Sequence, residues 1–77
     1  MHLLHETTVK NTDGTYEITV YIVEDGKRRG PYTYLIPSDK EVRDFLALYQ
    51  KGKRDGSRFH GKALSLLNKH RTRLIRK

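Results

Sequence analysis

The chain contains no cysteine. A disulfide framework, a thiolate metal site and a thiol nucleophile are therefore excluded, and the composition suits a reducing compartment. Long apolar runs are missing as well. The longest is Val20-Tyr21-Ile22-Val23, whereas a secretory signal needs an apolar core of roughly 7–15 residues and a spanning helix roughly 20. The expectation is a soluble, cytoplasmic protein, complete as it stands. Internal repeats and low-complexity tracts are absent too. The 77 residues form a single domain, 1–77, because a chain this short buries only about 60% of its unfolded surface. A second core or a lidded active site has no room.

Acidic residues are scarce in one half only. Residues 1 to 50 carry six Lys or Arg against eight Asp or Glu, a net of −2; residues 51 to 77 carry ten against the single Asp55, a net of +9. Such a block raises a local positive potential that attracts polyanions or anionic surfaces.

Turn residues divide the first half. Asn11-Thr12-Asp13-Gly14 and Asp25-Gly26 are strong reversal sequences, since Asx side chains and Gly tolerate the backbone angles required. Between them, residues 15 to 24 alternate: Tyr16, Ile18, Val20 and Ile22 share one face, with Glu17, Thr19 and Tyr21 on the other. That period predicts a half-buried strand. Leu3 to Val9 reads as a weaker strand, and Pro31 to Ile36 as a third that begins with its proline. Short connections favour an antiparallel meander within residues 1–37.

Helix signals follow. Ser38-Asp39-Lys40-Glu41 forms an S-x-x-E capping box behind Pro37. Val42, Phe45, Leu46 and Tyr49 then recur at helical spacing, which places a helix over 38–51 with Gly52 as its stop. A basic loop, 52–59, leads to a basic helix over 60–76 with Ala63, Leu64, Leu67 and Leu74 inward and Lys62, Lys69, Arg73 and Arg76 outward. The fold class expected is α+β: a three-stranded antiparallel meander followed by two helices packed on one face.

Gly56 to Lys62 (GSRFHGK) fits the G-x-x-x-x-G-K pattern of a phosphate loop, but Ala63 stands where a magnesium-binding hydroxyl belongs, and the segment follows a helix where a parallel strand is needed. Nucleotide hydrolysis is excluded on that ground. The segment's own charges remain. Lys51, Lys53, Arg54, Arg58 and Lys62, together with Lys69, Arg71 and Arg73, are the candidate nucleic-acid-binding residues. Arg suits bidentate phosphate contacts, and Lys acts as a mobile point charge. Asn68 is the sole amide in the last helix, so backbone binding with little sequence specificity is expected, to DNA or RNA. The alternative is a protein-interaction module that docks an acidic partner on the same surface. A basic amphipathic helix also suits an anionic membrane, but Leu64, Leu67 and Leu74 are needed for the core, and no integral membrane association is expected.

Tyr21, Tyr32 and Tyr34 are candidates for base stacking on an uncovered sheet face, whereas Tyr16, Phe45 and Tyr49 belong to inward stripes. Phe59 reads as an anchor that pins the basic loop. His2 and His5 fall on opposite faces of a strand, and His60 and His70 have no Cys or carboxylate beside them in sequence. Zinc needs three or four ligands, so no metal and no cofactor are expected. No catalytic residue is assigned. The one enzymatic arrangement available is metal-independent RNA cleavage, with His60 as general base beside Arg58 and Lys62 and His70 as second group; the plainer reading of His60 is a surface side chain that adds to affinity.

From Tyr32-x-Tyr34-x-x-Pro37 through Val42 and Phe45 to Gly56 and Phe59, the chain resembles the small KTSC-type domain of bacteria and phages, which implies a hairpin-plus-helix module and no defined activity. It departs from that pattern in a longer 24–31 connection and a basic 51–58 segment. Three antiparallel strands on a helix are also similar in architecture to the arm-binding domains of some tyrosine recombinases. That likeness implies a sheet laid into the DNA major groove, with Lys27-Arg28-Arg29 in a turn that touches DNA. A small phage-borne or accessory nucleic-acid-binding protein is the reading that follows.

Overall fold

The computed structural model describes residues 1–56, 58–70 and 74–76, the last three through their backbone. Strand β1 (His2–Lys10) turns into β2 (Tyr16–Glu24) and then β3 (Lys27–Ile36); helices α1 (Asp39–Asp55) and α2 (Arg58–Asn68) follow. The expected antiparallel meander and helix pair are both present. A short strand, β4 (Leu74–Arg76), adds to β3, so that the sheet order is β1-β2-β3-β4.

Local chemistry explains both reversals. At the first, Asn11 N–H donates to the Thr15 carbonyl, and the Asp13 carboxylate accepts from the Thr15 amide and hydroxyl. Those bonds hold the Asp13 carboxyl below its usual range. At the second, Asp25 and Gly26 both take positive φ, 52° and 74°. That is the two-residue turn whose twist matches paired strands. The connection is therefore short. β3 begins at Lys27, and Lys27, Arg28 and Arg29 pair with Glu24, Val23 and Ile22; they are strand residues and not the turn expected of them. Pro31 lies inside β3, where the register shifts between Val20 and Ile22 opposite the cis Gly30–Pro31 bond. An irregular pairing is where a strand accommodates a residue without an N–H.

The strand alternation holds. Leu3, Ile18, Val20, Tyr34 and Ile36 lie buried beneath Val42, Phe45, Tyr49, Ala63 and Leu67 of the helices. Tyr34 is thus a core residue, its hydroxyl donating to Asn68 Oδ1, and Tyr32 packs against the same core. Tyr21 belongs to the opposite face, so the three tyrosines form no shared stacking platform.

Ser38 caps α1 by accepting from Glu41 N–H. The Glu41 carboxylate meets His70, just beyond α2; a carboxylate partner for this histidine was not visible from neighbouring sequence. Helix α1 runs on through Gly52 to Asp55, which corrects both the helix stop at Gly52 and the loop drawn over 52–59. Gly52 is there for proximity. A Cβ at this position would lie 2.2 Å from Cδ2 of His60, so the missing side chain lets α2 press its imidazole onto the α1 backbone. Helix α2 begins at Arg58 and ends at Asn68, not at residue 76, because residues 74–76 pair with β3 and leave Leu74 in the sheet.

Two measurements check these packing arguments. Gly52→Ala is expected to destabilise by about 2 kcal/mol from overpacking. In a His60→Ala background the same change is expected to stabilise by up to about 0.8 kcal/mol, since Ala is the better helix former; denaturant melts of the four proteins read the reversal of sign. The second concerns His5, whose imidazole sits edge-on to Phe45 and Tyr49. Desolvation there lowers its pKa below the ordinary 6.5, against a smaller opposing effect of the Thr7 backbone. A histidine with a lowered folded-state pKa leaves more protons bound to the unfolded chain below pH 6.5. Its contribution is present above that pH and is lost as pH falls through it toward the folded pKa. The slope of stability against pH between 7.5 and 5.5 should therefore be shallower in His5→Gln than in the parent chain, whatever the offset between them (pH range chosen about the ordinary value).

Candidate functional site

The tight α1–α2 corner does what spacing alone could not specify. Gly56 N–H donates to the Gly52 carbonyl at the end of α1, and the Gly56 carbonyl accepts from Phe59 N–H at the start of α2. The chain thus reverses between Asp55 and Arg58, held by the Gly56 backbone. Lys51, Lys53 and Arg54 in the last turns of α1 are brought against Arg58 and Lys62 in the first turns of α2.

Phe59 organises this meeting. It is 9% exposed, and three cations stand over its ring: Lys51 Nζ at 4.7 Å, Arg58 Cζ at 5.0 Å and Lys62 Nζ at 5.4 Å from the centroid. The negative ring face attracts each of them and offsets part of their mutual repulsion. Lys53 turns the other way, its Nζ 5.6 Å from the Tyr49 centroid. Lys51, Lys53, Arg54, Arg58 and Lys62 are all exposed, and among the described residues none of them enters an ion pair.

Asp55 is the one acid at the corner and enters no ion pair among the described residues, and several other acids are engaged elsewhere. Asp39 and Asp44 pair with Arg43 and Lys40 one turn away on α1, Glu41 with His70, and Glu24 with Arg29. The cations at the α1 C-terminus favour the negative end of that helix, but α2 has no acidic residue in its first turn, so its positive end adds to the local potential. Among the eight residues chosen from sequence, five meet at this corner. Lys69 is exposed beyond the far end of α2, about 16 Å along the axis from Arg58 at 1.5 Å per residue. Arg71 and Arg73 lie outside the described residues.

His60 is not a surface residue. It is 4% exposed; Leu3 N–H donates to its Nδ1 at 3.1 Å, and its Nε2–H donates to the Tyr49 carbonyl at 3.1 Å. Both ring nitrogens are committed, which specifies the neutral Nε2–H tautomer and leaves no nitrogen to act as a general base. The ring also stacks on Tyr49, with centroids 5.0 Å apart and planes 13° apart. Beside it, Leu3, Leu4, Tyr49, Gly52, Lys53 and His2 line an open groove of about 390 Å³ with a mainly apolar floor. Among the described residues no three His, Asp or Glu side chains converge on a metal-sized site, and no helix is long and apolar enough to cross a membrane.

Comparison with family models, with curated proteins and with solved structures returns no match.

The corner's cations have no ion-pair partner among the described residues, and mutual repulsion offsets their exposed contacts with the Phe59 ring, so their removal should leave folding intact. Each of Lys51→Gln, Arg58→Gln and Lys62→Gln is expected to change unfolding free energy by no more than about 0.5 kcal/mol, the range of ordinary surface substitutions. A loss several times larger in urea melts would make the cluster a structural device.

Proposed function

We propose that the chain binds the phosphate backbone of nucleic acid through the α1–α2 corner, with little discrimination of base sequence. The observation that carries this reading is the convergence of five exposed cations without an ion-pair partner among the described residues, three of them gathered on the Phe59 ring. Like charges held together repel; an arrangement of this kind gains most from a ligand that brings closely spaced negative charges. A duplex carries one charge per about 1.7 Å of axis, dense enough to engage several of these side chains at once. Lys69 extends the charged track along α2 in the same direction.

Direct base readout has little support. The Asn68 carboxamide oxygen is occupied by Tyr34, and Tyr32 and Tyr34 pack on the covered side of the sheet. Phosphate contacts set position without reading sequence, and that is the recognition these residues suit.

Titration against labelled duplex DNA, single-stranded DNA and RNA at several salt concentrations tests the proposal. If the five corner cations engage, log affinity against log salt should slope at about −4 to −5 for duplex and about −3 to −4 for single strands. Arg58→Glu/Lys62→Glu should abolish most of that binding with the fold retained by circular dichroism. Absence of binding at low salt would overturn the reading and leave an acidic protein as the ligand of the same corner.

A further inference from the structure

The open groove beside His60 adjoins the charged corner on both helices. Gly52 and His60 line the groove, and their immediate chain neighbours, Lys51 and Phe59, belong to the cation cluster. One backbone step, about 3.8 Å between Cα atoms, separates groove from cluster on α1 and again on α2. Lys53 joins the two. It lines the groove and holds its Nζ 5.6 Å from the Tyr49 centroid.

Floor and walls of the groove differ in chemistry. Leu3, Tyr49 and His60 are buried, and the polar groups they bring together are already paired: Leu3 N–H with His60 Nδ1, and His60 Nε2–H with the Tyr49 carbonyl. His2 and Leu4, alternate residues of β1, form one wall and are exposed. The His2 imidazole stands 6.4 Å from that of His60, tilted by 42°. On the α1 side the wall is the exposed Lys53 side chain. Such a seat suits a flat, largely apolar group and sets no condition on its hydrogen-bonding edge.

The neighbouring charges narrow the choice of occupant. Lys51, Arg58 and Lys62 each lie within 5.4 Å of one ring centroid, so no two of these charges are farther apart than twice that distance. Each strand of a nucleic acid carries a charge per about 3.4 Å of axis, and consecutive phosphates fall within that reach. A flat group carried on closely spaced negative charges is a nucleobase. In a duplex, however, every base is stacked and paired inside, away from a surface groove.

We infer that the groove seats one unstacked base of a single strand, between the His2 ring and the Lys53 side chain, while adjacent phosphates lie on the corner. Seating a base there rests on the phosphate contacts proposed above and adds what charge alone does not supply. Charge density by itself favours the duplex; a base seat favours the unpaired strand. Stacking tolerates any sequence, because every base has a π-face, and the cation of Lys53 adds attraction to that face.

Anisotropy titrations at one salt concentration test this with labelled ligands of equal length: a single strand of mixed sequence, the same strand with abasic sugars throughout, and the duplex. The mixed strand should bind at least about fivefold more tightly than the abasic one, the effect of one stacked base. His2→Ala/Leu4→Ala, folded by circular dichroism, should lose that advantage and keep the parent affinity for the abasic strand and for the duplex. Equal affinity of the parent chain for mixed and abasic strands overturns the base seat and leaves the phosphate contacts standing. An advantage that survives in the variant also overturns it, since the base then lies elsewhere. If none of the ligands binds, the phosphate contacts fail and the base seat fails with them.

Discussion

A single buried imidazole of α2 ties that helix to both β1 and α1. His60 takes the amide hydrogen of Leu3 from the outer edge of β1 and gives its own to the carbonyl of Tyr49 in α1, while its ring lies against the bare Cα of Gly52. A second edge amide, His5 N–H, donates to the Tyr49 hydroxyl. These two bonds occupy donors that an edge strand otherwise offers to foreign strands. They also set where α2 lies and how it is rotated. Phe59 precedes His60 by one residue, and Ala63 follows by less than one turn. The burial of Ala63 and the gathering of cations on Phe59 are therefore consequences of the same anchor.

The anchor also accounts for the separation of roles within α2. One face supplies His60, Ala63 and Leu67 to the core; Arg58 and Lys62, one turn apart, stay in solvent beside the α1 terminus. Helix α1 is polarised along its length, with Asp39, Glu41 and Asp44 toward its start and Lys51, Lys53 and Arg54 toward its end. Because Asp39, Glu41 and Asp44 pair locally or with His70, Asp55 at the end of α1 is the single acid set against the five cations of the corner. The sheet residues beneath the helices exclude water, and on the opposite face Thr19 and Thr33 are buried as well, each hydroxyl partnered by the other.

Elements with a regular period were legible before any coordinates. The alternation from Tyr16 to Ile22, the Asp25-Gly26 reversal and the Ser38 cap are local signals, and each lies where its chemistry required. Features created by contacts distant in sequence were not legible. Gly52 carries the ordinary mark of a helix end, and only the His60 ring, eight residues on, shows that it is a point of close approach inside α1. Pro31 resembles a strand start because the register shift that accommodates it is a property of the β2–β3 pair. Leu74 continues the helical apolar stripe on paper, but backbone pairing with Tyr34 places it in β4. For the site, the identity of the corner cations was readable from charge density; their convergence on Phe59, and the burial of His60, were not.

Sequence alone therefore determined the α+β class, the face assignment of the central strand, the start of α1 and the concentration of charge in the last third of the chain. Each of these depends on spacing or on neighbours within about one helical turn. Tertiary structure decided which histidine is buried, which glycine is a contact, where α2 ends and which cations meet. Those outcomes turn on donors and ring faces supplied by residues as much as 57 positions away, and no local pattern encodes a partner that only folding brings within reach.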